Sequence, residues 1–150
     1  MLLKKIVKLL IPGCELSRKI YRRYSRARYF YKHNWDIVSN IITYNTYKKF
    51  HCFISPKAEI EADINFPHPI GIVIGEGAKI GKNCTIYQNV TIGRKNKDLP
   101  EYPTIKDNVV IYCNSTIIGN IEIGENSIIG CNTVVLSSVN SNSKCVGVVK

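Results

Sequence analysis

From Ile54 onward the large apolar side chains return every six residues. They fall at Ile54, Ile60 and Phe66, then Ile74, Ile80, Ile86 and Ile92, then Ile105, Ile111, Ile117, Ile123, Ile129 and Val135. Most are followed four positions later by a second small or branched residue: Ala58, Ile64, Ile70, Ala78, Cys84, Val90, Val109, Ser115, Ile121, Ser127, Thr133 and Val139. A period of six matches neither the 3.6 of a helix nor the alternation of a flat sheet. It predicts a chain that runs straight briefly, turns and repeats, with three hexads closing a triangular coil of about eighteen residues. Coils of this kind bury their apolar residues only by stacking, which predicts an all-β parallel β-helix built of hexapeptide repeats.

Polar positions follow the same beat. Gly75, Gly81, Gly93, Gly124 and Gly130 each follow an apolar residue of the repeat, and Asn83, Asn89, Asn108, Asn114, Asn120, Asn126 and Asn132 recur where corners are expected. Gly and Asn tolerate positive φ at low cost, so both sets are expected to serve turns.

The repeat breaks twice. Phe66 to Ile74 spans eight residues instead of six and contains Pro67, His68 and Pro69. Ile92 to Ile105 spans thirteen and carries Arg94, Lys95, Lys97, Asp98, Pro100, Glu101, Tyr102 and Pro103. Insertions in a solenoid emerge as loops and often carry the binding surface. The two lie about one and a half coils apart, so they are expected to approach one another.

Residues 1–52 read differently. Leu2, Leu3, Ile6, Leu9 and Leu10 share one face of a first expected helix, which Pro12–Gly13 should end. A second helix is expected from about Glu15, with Arg18, Lys19, Arg22, Arg23, Arg26 and Arg28 interleaved among tyrosines. The net charge of +10 lies wholly in residues 1–50, and residues 51–150 are neutral. The expected division is therefore a basic amphipathic helical segment, 1–52, and a repeat domain, 53–150. Lysines interrupt the first apolar run and no small-residue cleavage site follows, so a signal peptide is a poor reading. No stretch is apolar for long enough to span a bilayer. Two readings stay open for this segment: peripheral contact with an anionic membrane, and packing within an oligomer. No nucleic-acid motif accompanies the basic residues.

The six cysteines (14, 52, 84, 113, 131 and 145) form no C-x-x-C pair and no zinc spacing, and the repeat domain offers His68 as its one histidine beyond His51. A reduced cytoplasmic protein without metal catalysis is expected.

The run Pro67-His68-Pro69-Ile70-Gly71-Ile72-Val73-Ile74-Gly75-Glu76, with Gln88-Asn89-Val90-Thr91-Ile92-Gly93 and Ile117-Ile118-Gly119-Asn120-Ile121, resembles the serine acetyltransferase-like branch of hexapeptide-repeat acyltransferases. The closing Val146-Gly147-Val148-Val149-Lys150 resembles that family's ending without its Pro-Ala. The resemblance covers about residues 53–150. It implies a left-handed coil, acetyl-CoA as co-substrate, a homotrimer with sites between neighbouring prisms, and His68 as general base. A hydroxyl attacks a thioester poorly unless a base near neutrality removes its proton, and imidazole suits the task. The family's donor-arm positions match Gly93, Arg94, Cys113 and Cys131. Lys95 and Lys97 stand beside Arg94 as cations for CoA phosphates, or simply as solvated charge.

Departures from the pattern bear on the acceptor. The family's orienting aspartate matches Phe53, the aspartate before the histidine matches Pro67, and the arginine-histidine pair that helps hold a serine carboxylate matches Glu101-Tyr102. Without that cation an amino-acid carboxylate loses its natural partner. The expected function is therefore O-acetylation of a carbohydrate hydroxyl in surface polysaccharide synthesis, with Glu101 and Tyr102 as acceptor-binding residues. Serine O-acetylation and an inactive scaffold are the alternatives. A backbone carbonyl, Asp98 and Glu101 are the candidates to orient His68. The protein is expected in the cytoplasm, with the inner membrane face as a peripheral site.

Overall fold

The computed structural model describes residues 12–150, so the expected first helix (Leu2 to Leu10) lies outside the described residues. Two helices come first: α1, Pro12–Lys32, and α2, Asp36–Phe50. Fourteen short strands follow, numbered in chain order. They stack into three parallel sheets that form the faces of a prism. The first holds β1 (Phe53–Ile54), β3 (Val73–Ile74), β6 (Thr91–Gly93), β9 (Thr116–Ile118), β12 (Val134–Val135) and β14 (Val148–Val149). The second holds β2 (Glu59–Ile60), β4 (Lys79–Ile80), β7 (Thr104–Ile105) and β10 (Glu122–Ile123). The third holds β5 (Thr85–Ile86), β8 (Val110–Ile111), β11 (Ile128–Ile129) and β13 (Lys144–Cys145), and Asn65 bridges to Thr85 beneath it.

Register explains why a six-residue beat builds this prism. Ile54 pairs with Ile74, Ile74 with Ile92 and Ile92 with Ile117, so each inward side chain sits on the equivalent one of the next coil. Ile74, Ile86, Ile92, Ile111, Ile117, Ile123, Ile129 and Val135 are completely buried. Burial of a side chain of this size contributes about 1.5–3 kcal/mol each, and the column of them is the main source of stability. Ladder bonds such as Val73 N–H to the Val90 carbonyl at 2.9 Å satisfy the backbone between coils.

One expected inward residue points out. Ile70 is 60% exposed, and Ile72 takes the slot instead with no exposure. The inner slots lie two residues before the large apolar residue, as Val90 precedes Ile92 and Cys52 precedes Ile54. The eight-residue gap shifts which residue meets that rule. Gly71, at φ +67°, turns the chain there.

The corners divide their work unlike the expected pattern. Asn83, Asn89, Asn108, Asn114, Asn126 and Asn132 do adopt positive φ, but at the remaining expected corner it is Gly119, not Asn120, that does so. Gly75, Gly81, Gly93, Gly124 and Gly130 are not in the left-handed region. At Gly81 and Gly124 the next coil leaves no room for a Cβ. Along the edge between the second and third sheets, carboxamides run as a ladder: Asn83 donates to Asn108 at 3.3 Å, Asn108 to Asn126 and Asn126 to Asn142, each at 3.1 Å.

Pro12 and Gly13 open α1, in keeping with the tolerance of the first helical turn for proline. Ser17, Ile20, Tyr24 and Ala27 form its buried stripe at helical spacing and close the N-terminal end of the prism. Phe66 N–H donates to Ser17 Oγ at 2.9 Å, and Ile20 and Tyr24 join the same apolar core as Ile54 and Phe66. The break at His33–Trp35, with Asn34 at φ 60°, releases α2, which is tied back by Ser39 Oγ donating to the Ala27 carbonyl at 2.8 Å.

Candidate active site

The edge where the third sheet turns into the first carries His68. One and two residues beyond the inward Phe66, Ile86, Ile111 and Ile129 lie two columns, coil upon coil: Pro67, Tyr87, Tyr112 and Gly130, and beside them His68, Gln88, Cys113 and Cys131. His68 is exposed, with its ring centroid 6.2 Å from that of Tyr87. Tyr87 stacks on Tyr112 at 5.0 Å and 19°.

The backbone around His68 is tied down at several points. Ile70 N–H donates to the His68 carbonyl at 2.8 Å, Gly71 N–H to the His51 carbonyl at 2.9 Å, and Asn89 N–H to the Ile70 carbonyl at 2.8 Å. Cys52 Sγ donates to the Pro69 carbonyl at 2.9 Å, and burial pushes its thiol pKa up. The proline-bearing insertion is therefore a fixed perch for the imidazole. None of the expected orienting groups bonds the ring: Asp98 and Glu101 lie exposed on the other insertion, and no backbone carbonyl reaches it among the described residues. Phe53 faces outward from β1, into a cavity of about 690 Å³ under α2 that Tyr31, Tyr44, Tyr47 and Lys57 also line.

The second insertion leaves from a different edge. It follows β6, where the first sheet turns toward the second, whereas His68 follows the third-sheet position. Within one chain the two insertions therefore do not approach one another. Tyr102 lies flat over Gly75 and Gly77; a Cβ on Gly75 would fall 2.6 Å from Tyr102 Cε1. Its hydroxyl donates to Glu76 Oε1 at 3.4 Å, and Glu76 Oε2 pairs with Lys57 Nζ at 3.0 Å. Hydrogen bonding to Lys57 holds the Glu76 carboxyl below the usual range, and burial with Glu76 close by raises the Tyr102 phenol. Tyr102 is thus the anchor of the loop, a role its sequence position did not reveal. Arg94, Lys95, Lys97 and Glu101 are exposed on that loop, and Gly93 at its root has open space beside it.

The expected site residues accordingly fall in two groups. His68, Cys113 and Cys131 share one edge; Gly93, Arg94, Glu101 and Tyr102 share another. Gln88, between His68 and Cys113, opens one of the runs that carry the resemblance, but its sequence position pointed to no role for it. Its Oε1 is buried with no hydrogen-bond partner among the described residues. The signal was present in the repeat register, which sets it in the same column. Among the described residues no three His, Cys, Asp or Glu side chains gather as a metal site.

A family model described as bacterial transferase hexapeptide (six repeats) matches residues 102–137. A serine acetyltransferase of Staphylococcus epidermidis is 40% identical over 136 residues, covering 89% of this chain and 58% of the relative. A Neisseria gonorrhoeae serine acetyltransferase solved in complex with serine superposes with a TM-score of 0.80 at 30% identity, covering 85% of this chain and 53% of that one. A serine acetyltransferase in complex with CoA gives 0.79 at 30%, with the same coverage. The chain spans just over half the length of these relatives. In repeat, sequence and left-handed parallel β-helical fold, it matches the serine acetyltransferase-like branch of the hexapeptide-repeat transferase family.

Proposed function

We propose that the chain is an acetyl-CoA-dependent O-acetyltransferase with His68 as general base. The observation that carries this is the shared edge: an exposed, backbone-tethered imidazole in register with Cys113 and Cys131, the positions that the resemblance assigns to the donor arm. His68 takes the proton of the acceptor hydroxyl as its oxygen bonds the thioester carbonyl carbon. The tetrahedral intermediate collapses with cleavage of the C–S bond, and the imidazolium returns the proton to the departing sulfur. Products are the acetyl ester and free CoA, with no covalent enzyme intermediate when both substrates are held together. Backbone N–H groups of a coil corner suit the transient oxyanion.

Serine is the acceptor that the relatives' names support better than a carbohydrate. With Glu101 and Tyr102 offering no cation, its carboxylate would turn to Arg94, Lys95 or Lys97 on the same loop. The carbohydrate reading has one observation of its own, the Tyr87–Tyr112 stack beside His68, because flat aromatic faces suit the apolar face of a sugar ring. The division of the site supports a homotrimer, in which the His68 edge of one prism would meet the loop edge of its neighbour. Outward-facing Phe53, Ile70 and Val73 supply apolar surface for such packing. The exposed basic face of α1 supports peripheral contact with anionic membrane.

The test is thiol release from acetyl-CoA in the presence of L-serine or of simple glycosides. Release that depends on serine is expected. Release with glycosides alone would select the carbohydrate reading, and release with neither would overturn the enzymatic one.

A further inference from the structure

The unpartnered oxygen of Gln88 stands out against an otherwise satisfied interior. Its Oε1 is the one buried side-chain nitrogen or oxygen among the described residues that lacks a hydrogen-bond partner. A buried acceptor left without a donor costs about 1–3 kcal/mol, so such a group in a well-packed fold asks what it serves. Hydration alone would be a bland answer, but its position in the fold is specific.

Gln88 occupies the coil directly above His68 and directly below Cys113. The two corners are locked together: Asn89 N–H donates to the Ile70 carbonyl at 2.8 Å, and the Asn89 carboxamide closes over Gly71. Asn89 in turn donates to Asn114 at 3.0 Å, which fixes the Gln88 corner to the Cys113 corner. Gln88 thus lies between the base and the donor-arm positions, on a rigid edge; its Oε1, closed off from solvent in the free chain, is a neutral acceptor that a turn of the carboxamide would bring to an N–H or O–H on that edge.

We infer that Gln88 is a donor-positioning residue whose Oε1 accepts the amide N–H adjacent to the thioester of acetyl-CoA. This rests on the acetyltransferase reading above. The arm of the donor carries an amide N–H two carbons from sulfur. A carbonyl anchored one coil from His68 would fix that N–H and so hold the thioester carbon beside the attacking hydroxyl. A displacement of about 1 Å at such a point costs on the order of a hundredfold in rate.

The experiment pairs enzyme and donor variants. Acetyl-CoA, the thioester S-acetyl-N-acetylcysteamine, and its analogue with an ester oxygen in place of the N–H are compared on wild type, Gln88→Met and Gln88→Glu. Wild type should prefer the N–H donor over the ester analogue by about tenfold in kcat/KM, a difference equal to about 1.4 kcal/mol. Gln88→Met should treat the two within about twofold, Gln88→Glu should retain the preference, and KM for the acceptor should not move, the pattern of a direct pairwise interaction. A preference that survives in Gln88→Met, or a change confined to acceptor KM, overturns the assignment. Calorimetric titration with CoA itself separates the two readings. If wild type binds CoA at least fivefold more tightly than Gln88→Met but transfers acetyl to nothing, the enzymatic reading falls and the Gln88 contact stands. Equal CoA affinities in the two proteins overturn the contact.

Discussion

Tyr24 Oη donates to the Ala58 carbonyl at 2.7 Å, joining the first described helix to the first coil of the prism across 34 residues of sequence. The same oxygen accepts the Ile60 N–H at 3.1 Å, and Arg28 bonds the carbonyls of Pro56, Lys57 and Ala58. An open end of a β-helix presents unpaired ladder groups and apolar surface, and α1 covers both. Tyr24→Phe leaves the part-buried Ile60 N–H without its acceptor, at a cost of about 1 kcal/mol. For a chain of this size each kcal/mol lowers Tm by about 2–4 °C. A thermal melt of Tyr24→Phe that overlays wild type would mean that the helix merely rests on the coil.

The contrast between prism and cap shows what a sequence makes legible. Ile74, Ile92 and Ile117 are readable because each coil repeats the same physical demand, and the strand pairing is the repeat itself. The cap is used once. Nothing in the spacing of Ser17, Ile20, Tyr24 and Ala27 says which surface they cover, since a buried stripe and a membrane-facing stripe have the same period. The candidate site residues divide the same way. His68 is readable from its place in a broken hexad, but the separation of Tyr102 from it depends on which edge each insertion leaves. That assignment needs the coil count, and the two extra residues before Ile74 obscure it, just as they misplace Ile70.

Removing the base should separate chemistry from binding. His68→Ala is expected to lower acetyl transfer by about 10² to 10⁴, since proton removal from the acceptor has no other candidate on that edge. The ring makes no hydrogen bond among the described residues, so the melt should be unchanged within about 0.5 kcal/mol. CoA affinity should also hold. Activity within a few-fold of wild type would remove His68 from the mechanism.

The loop anchor can be tested by filling the space beneath it. Gly77→Ala places a methyl group where the Tyr102 ring lies. The ring must lift, losing its contact with Glu76 and freeing the chain from Arg94 to Glu101. Limited proteolysis should then cut within 94–101 at least fivefold faster than in wild type, while the prism stays intact. Tyr102→Ala should behave likewise. Unchanged cleavage in both proteins would show that the loop is held by something other than this ring.

Cysteine reactivity should map both the core and the donor edge. Cys84 donates to the Lys106 carbonyl at 3.1 Å, and burial pushes its thiol up to about 11. At pH 8 it should resist alkylation, as should Cys52, whereas exposed Cys131 should react readily. The sign of the linkage follows: the unfolded chain releases this proton near 9 and the native chain near 11, so the contribution of Cys84 is complete below 9 and is lost as pH rises toward 11. Residue-resolved mass spectrometry with and without CoA completes the test. Protection of Cys131 and Cys113 by CoA is expected, and their unaltered labelling would take the donor arm off this edge.

Membrane contact is tested by reversing charge on the outer face of α1. Deleting residues 1–50 would answer a different question, because the deletion strips Ser17, Ile20 and Tyr24 from the end of the prism. Arg18, Arg22 and Arg26 are exposed on the opposite face and take no part in that packing. Nearby, Trp35, Ile37 and Ile41 expose apolar surface at 60%, 77% and 54%. Basic residues at an anionic surface contribute on the order of 1 kcal/mol each, so the triple variant Arg18→Glu/Arg22→Glu/Arg26→Glu should lose at least about a hundredfold in affinity. Co-sedimentation with vesicles containing phosphatidylserine should show binding by wild type at low ionic strength, weakening as the Debye length shrinks toward 8 Å at about 0.15 M salt. Neutral vesicles should retain neither protein. If wild type ignores anionic vesicles at low salt, or the triple variant binds them as well as wild type, the basic face of α1 serves packing or solubility, and the membrane reading is discarded.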